Sequence, residues 1–310
     1  MIVRWSLDEL PAVLDELGIA RPFVVTSPRW QGLVDLATAG SWTEVPSDRI
    51  EVPAGADGVL AVGGGSAIDT AKHASALSGL PLVSVPTTYS GAEWTTSYGI
   101  RSPDRRIRGG GAGAHPAGIV YDVALLRDLP PDVTAGTALN ALAHCAEALY
   151  VRGRSPEGDE QALLGAPLIA RALPRVLANG DGREELLRGA MHAGHALGLA
   201  GLGLGHAMAQ AAGGSYGLPH GAMNALCLPP ALEFNRAYVP EAFARAVGGD
   251  PVERARELAE LGGFRRLRDF GVPEGDLPQL GEFAAQRAGN QANPRVATPD
   301  EITALFRSIY

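Results

Sequence analysis

The sequence predicts two units: an α/β unit built on a doubly wound parallel sheet over residues 1–130, and an all-helical unit over residues 131–310. Three observations carry this. Short runs that are apolar throughout recur before residue 130, as strands covered by helices on both faces require. Stretches of helical period separate them. After "LPPDV" (129–133) the strand-like runs stop, and Ala, Leu, Gly and Arg recur at helical spacing to the end.

Taken in order, "MIVRWSLDELPAVLDEL" mixes charged and apolar residues at helical spacing, which is not the pattern of a signal peptide. "PFVVTS" (22–27) predicts the first clear strand. "PRWQGLVDLATAG" (28–40) predicts a helix, with Pro near its start and Gly past its end. "GVLAVGG" (58–64) is the next strand, "SAIDTAKHASAL" (66–77) a helix, "PLVSVPTT" (81–88) a third strand and "AGIVYD" (117–122) a fourth. Ligands on such sheets bind at the carboxyl ends of the strands. In the helical half, breaks are expected near Arg154–Pro156, Asn179–Arg183, Tyr216–Pro219 and Gly248–Pro251.

Composition narrows the function classes. The chain is 46% hydrophobic and 19% charged, the balance of a folded protein rather than a disordered one. A formal net charge of −8 gives no general attraction for nucleic acid or anionic membrane, so neither is an expected partner. The run Arg101, Arg105, Arg106, Arg108 is the local exception. Cys145 and Cys227 form neither a disulfide framework nor a CxxC pair, which suits a reducing cytoplasm. No apolar run spans a bilayer without Gly or charged interruptions. Of 26 basic residues only Lys72 is lysine, which points to a position needing a compact ammonium or a slim stem.

"AVGGGSAIDTAK" places Gly63, Gly64 and Gly65 between a strand and a helix. Such a turn lets a phosphate approach backbone N–H groups at the positive end of a helix. Ser66 is an expected N-cap, and Asp69 completes an S-x-x-D capping box. The plainer reading is that the glycines only turn and Asp69 only caps. The strand before and the helix after favour pyrophosphate binding. "PTTYSGAEWTTSYGI" (86–100) then leaves a buried strand and gathers hydroxyls where a cofactor would lie.

In the second unit, "ALNALAHCAEALY" (138–150) sets Asn140 and His144 four residues apart, on one helical face. His206 and Gln210 repeat that spacing, and His220 follows a Pro at the start of another helix. Three imidazoles and an amide from separate helices would converge if the helices pack around a common point. Imidazoles suit zinc or ferrous iron, but Asn is a poor substitute for a carboxylate because it brings no charge. His73, His192 and His195 lie inside helices without a partner motif and read as structural.

These segments, with "LPHGAMNALCLPPALEFN" and the tail "NPRVATPDEI", resemble the iron-containing alcohol dehydrogenase superfamily, with the closest likeness to its maleylacetate reductases. The likeness runs through nearly the whole chain, in the family's order. It implies a nucleotide-binding α/β domain, a helical domain and an active site in the cleft between them. It puts Gly63, Gly64, Gly65 and Ser66 on the phosphates of NAD(H) or NADP(H), and Thr87, Thr88, Ser90 and Thr95 along the nicotinamide half. Thr26 and Ser27 would lie near the adenosine, and Tyr98 would help close the site. The family's metal positions fall on Asn140, His144, His206 and His220. Metal-dependent members have Asp at the first; Asn resembles the reductase branch described as working without a metal, so iron or zinc is not favoured, and these four residues would hold one if it binds. A homodimer is expected as well. No acidic residue follows the first strand to hold a ribose and exclude a 2′-phosphate, and Arg29 would tolerate one.

Several positions depart from the branch. Gln210, Asn224 and Pro230 stand where the reductases carry histidines, and Ala92 where they carry Ser. Gln cannot deliver a proton at neutral pH as His can. Two enzymes are therefore compatible with the sequence. One is an NAD(P)H-dependent reductase of a small oxo-carboxylate, with His206 or His220 as donor, His144, Asn140 and Gln210 assisting, and the Arg101–Arg108 segment as a candidate carboxylate holder, although its plainer reading is a solvated hairpin. The other is a non-redox dehydratase, cyclase or lyase on the same scaffold. A catalytically silent binding subunit would need neither the phosphate loop nor the histidines.

Overall fold

The computed structural model describes residues 1–101, 106–109, 114 and 116–310. The chain divides into two compact units, Met1–Leu126 and Arg127–Tyr310. The side chains of Arg101, Arg105, Arg106 and Arg108 lie outside the described residues, and so does the carboxylate-holding role expected of them.

The first unit contains a six-stranded, all-parallel sheet. Its strands are β1 (Ile2–Arg4), β2 (Pro22–Thr26), β3 (Gly40–Trp42), β4 (Gly58–Gly63), β5 (Leu82–Pro86) and β8 (Pro116–Val120), in the order β1-β8-β5-β4-β2-β3. Val24, Leu60, Val62, Val83 and Val85 pack on one face against Leu10, Val13 and Leu14 of α1 (Leu10–Glu16). Phe23, Val25, Val59, Ala61 and Leu82 pack on the other against Ile68, Ala71 and Ala74 of α2 (Gly65–Ser78). Alternate residues of each strand thus feed two cores, which is why the strands read as unbroken apolar runs. β6 (Tyr98–Arg101) and β7 (Arg106–Gly109) form a separate antiparallel pair, so this segment is a backbone-paired ribbon.

The expected helix over 28–40 is not there. Pro28–Trp30 makes one 3-10 turn, Gln31 is extended, and Gly32 takes a φ of +80°. That left-handed glycine stops the helix, and the chain goes on to the edge strand β3. The sheet also exceeds the four expected strands: β1 and β3 have three residues each, too few to show a pattern.

The second unit is helical: α3 (Pro131–Ala148), α4 (Pro156–Asn179), α5 (Arg183–Ala200), α6 (Leu204–Tyr216), α7 (His220–Phe234), α8 (Glu241–Val247), α9 (Pro251–Leu261), α10 (Leu277–Ala285), α11 (Ala288–Ala292) and α12 (Pro299–Ser308). All four expected breaks fall between helices. Helix α3 is the hub. It packs against α4, α5, α6, α7 and α9, and all but Thr137 are buried from Thr134 to Ala148. Any polar side chain on α3 is therefore forced inside and needs a partner. Cys145 and Cys227 are both free thiols buried in this unit, and burial raises both above the ordinary thiol range. No helix among the described residues is long and apolar enough to cross a membrane.

Candidate active site

The glycine turn stands at a topological switch. From β2 the chain runs outward to β3, then returns as β4 on the opposite side of β2. Crevices at such points, at the carboxyl ends of the strands, are where parallel sheets bind ligands. β4 ends at Gly63, Gly64 is the N-cap and α2 begins at Gly65. A Cβ on Gly64 would lie 2.8 Å from Thr88 Cγ2, so only glycine lets the turn come this close to the β5 exit. Thr88 Oγ1 is buried there, with no hydrogen-bond partner among the described residues. A buried hydroxyl with a proton to give, beside a helix N-terminus, fits an anionic oxygen.

The capping box is corrected. Ser66 lies inside α2 rather than at its cap, and no side chain caps Gly64. Asp69 Oδ2 instead accepts from the Gly99 N–H at 3.1 Å, and Oδ1 lies 3.6 Å from Lys72 Nζ. Thr26 Oγ1 donates to Val62 O at 2.8 Å, tying β2 to β4 at the switch point. Ser27 follows it as the residue before the Pro28 turn. Tyr98 OH pairs with His73 Nδ1 at 3.3 Å, so it anchors the ribbon to α2.

The loop that carries the hydroxyls is pinned from beneath. Lys72 Nζ, fully buried, donates to Thr95 Oγ1 at 2.7 Å and to Ser97 O at 2.9 Å. Burial lowers the Lys72 ammonium below its ordinary range, and Asp69 and Glu93 counter that. Glu93 is 2% exposed, and Oε1 accepts from Tyr121 OH at 2.7 Å. Tyr121 in turn accepts from Trp94 Nε1 at 2.7 Å. Burial raises the Glu93 carboxyl above its ordinary range. Thr87 is buried and bonded through its N–H to Gly63 O, while Ser90 lies at the rim, close to Gly65.

The second unit gathers the other expected residues. Helices α3 and α7 cross at Gly136 and Gly221, where a Cβ on Gly221 would stand 2.6 Å from the carbonyl carbon of Gly136. This backbone contact sets Asn140 and His144 of α3 beside His220 and Asn224 of α7. Asn140 Nδ2 lies 2.9 Å from His144 Nε2, and its Oδ1 lies 3.2 Å from His206 Nε2. Asn224 Nδ2 donates to Asn140 Oδ1 at 2.8 Å and lies 3.0 Å from His220 Nε2. The rings of His144 and His206 stack at 4.5 Å. Asn224 Oδ1 is buried without a partner among the described residues, an acceptor left for a ligand. Gln210 lies one turn beyond His206 on α6, partly exposed, with no hydrogen bond from its side chain among the described residues.

One carboxylate beneath this cluster escaped the sequence reading. Glu147, one turn after His144, is fully buried. Its Oε2 accepts from the Gly203 N–H at 2.6 Å and lies 2.7 Å from His206 Nδ1, and its Oε1 accepts from the His206 N–H at 3.0 Å. The available signal was a lone charge in the Ala- and Leu-rich "ALNALAHCAEALY". Among the described residues no three His, Cys, Asp or Glu side chains form a metal-holding set.

The iron-containing alcohol dehydrogenase family model matches residues 51–122, and its C-terminal counterpart matches residues 134–310. The chain is 33% identical to a maleylacetate reductase of Pseudomonas knackmussii, over 98% of this chain and 93% of that protein. It is 34% identical to maleylacetate reductase 1 of Rhodococcus opacus, over 82% of this chain and 73% of that protein. The crystal structure of a maleylacetate reductase from Agrobacterium tumefaciens superposes with a TM-score of 0.89 at 28% identity, covering 100% of this chain and 95% of that one. Glycine turn, hub helix and imidazole–amide cluster thus sit in a chain that belongs to the iron-containing alcohol dehydrogenase family and is an oxidoreductase.

Proposed function

We propose that this protein is an NAD(P)H-dependent reductase of a small oxo-carboxylate, with maleylacetate as the leading substrate. The observation that carries this reading is the likeness to maleylacetate reductases along essentially the whole chain. Nothing in the comparisons favours a non-redox dehydratase, cyclase or lyase.

The nicotinamide, when bound, supplies the hydride. The chain's own residues do the rest. The Gly63–Ser66 turn holds the dinucleotide phosphates together with Thr88, which its place beside Gly64 moves here from the expected nicotinamide half, and the loop over Ser90 and Thr95 lies along that half. His206 donates a proton or hydrogen bond to the oxygen that gains charge as the substrate is reduced. His144, stacked on it, Asn140 and Asn224 order that donor. The Arg101–Arg108 segment is the candidate for holding a substrate carboxylate.

We read the site as one that works without iron or zinc. Where the resemblance places a charged carboxylate, Asn140 brings a neutral amide, and its two ends are engaged by His144 and His206. The reaction is therefore read as metal-independent. The working unit is read as a cytoplasmic homodimer with neither nucleic acid nor membrane as partner.

Purified protein should oxidise NADH or NADPH in the presence of maleylacetate, followed by absorbance. Turnover should survive exhaustive chelation, and added Zn²⁺ or Fe²⁺ should not raise it. Binding of neither nucleotide would overturn the reading, and loss of activity on chelation would overturn its metal-free part. Light scattering at twice the chain mass would support the dimer.

A further inference from the structure

We propose that Glu147 is the positioning residue of the site: it holds the proton of His206 Nδ1, so that Nε2 faces Asn140 Oδ1 and the proton given to substrate is a second one, on Nε2 of the protonated ring. The inference rests on the proposed reduction only in taking His206 as the donor. Two backbone N–H groups converge on the two oxygens of Glu147, that of Gly203 on Oε2 and that of His206 on Oε1, and His206 Nδ1 lies 2.7 Å from Oε2. Only a group that accepts at both ends satisfies both donors, and an ionised carboxylate does so, which leaves Nδ1 to supply the proton of the third contact. Gln would turn an NH₂ towards at least one of these N–H groups.

The surroundings are shaped to this carboxylate. A Cβ on Gly203 would lie 3.0 Å from Glu147 Cδ, and one on Gly205 would lie 3.0 Å from Oε1. The N-cap of α6 is Gly203, which has no side chain to cap with, and His206 is the third residue of that helix. Glu147 thus caps α6 from another helix, at the end where the dipole favours an anion. The same atoms hold the ring of the third residue. Ring orientation and helix start are set by one group, and a ring turned away would leave the buried carboxylate with its two backbone donors alone. His206 Nδ1 lies within ion-pairing distance of this fully buried carboxylate.

Histidine-selective ¹⁵N NMR of the intact wild-type protein tests the assignment, with the His206 signals identified by their loss in His206→Gln. The expected result is a proton on Nδ1, shifted downfield by its carboxylate bond. An unprotonated Nδ1 overturns the proposal. In turnover of maleylacetate with NADH or NADPH, Glu147→Gln should lose kcat by about 100-fold while KM stays within about threefold. A folded Glu147→Gln protein with wild-type kcat and an unchanged His206 spectrum overturns it. If Glu147→Gln does not fold, the wild-type spectrum alone decides. If the wild-type protein does not reduce maleylacetate, the functional reading fails while the ring assignment is still decided.

Discussion

Lys72 is a fully buried ammonium that holds Thr95 Oγ1 and Ser97 O, on the loop assigned to the cofactor. Its slim stem threads among the buried residues of α2, and its compact head reaches two acceptors. A guanidinium is larger, planar and less deformable. Lys72→Arg is expected to lower stability by about 1–3 kcal/mol through overpacking and to raise the KM for NADH by releasing the loop. Thermal melts and steady-state kinetics check this; a variant with wild-type Tm and KM would refute it. The oddity was visible in the sequence, since one lysine stands among 25 arginines. Asn140, His144, His206 and His220 were also legible, because i, i+4 spacing and helix starts survive in one dimension. Glu147 and Glu93 were not: their importance comes from burial and from donors supplied by distant segments, such as Gly203 and Tyr121.

At the scale of elements, the site exists because α3 and α7 touch through backbone at Gly136 and Gly221. An added methyl group at 221 has backbone on its far side, which cannot move aside as a side chain can. Gly221→Ala should part the helices, break the bond from Asn224 to Asn140 and cost about 1–3 kcal/mol. Activity should fall by roughly 100-fold, the scale of loss expected when catalytic groups shift by about 1 Å. Urea unfolding and kcat measure the two effects, and an unchanged kcat would show that this contact does not set the site. Element boundaries were read well wherever Gly or Pro punctuates a long helix, as at Gly180 and Pro219. They were misread where one glycine reversed the backbone: Gly32 ends what the pattern of 28–40 promised as a helix. The capping box failed for a related reason. Asp69 had a better partner in the Gly99 N–H, thirty residues away, than at its own helix start.

At the scale of the whole molecule, the division of labour was legible because the two halves differ in texture. Unbroken apolar runs build the first unit's sheet, and a continuous helical period builds the second. The short strands β1 and β3 were hidden, since each depends on a neighbour for its definition, whereas the hairpin reading of the Arg101–Arg108 segment agrees with the β6–β7 pairing. The two buried thiols have a consequence of their own. Cys145 sits on the hub helix α3 and Cys227 on α7, and the first unit has no cysteine at all. Native protein should therefore resist alkylation, since a buried neutral thiol is a poor nucleophile. Each labelling event would report an opening of the helical unit alone. Comparing alkylation rates with global unfolding rates should show whether that unit opens by itself. Rapid labelling of both thiols in the folded state would contradict their burial. The enzyme thus carries a built-in clock for one half of its structure, set by two residues with no part in its chemistry.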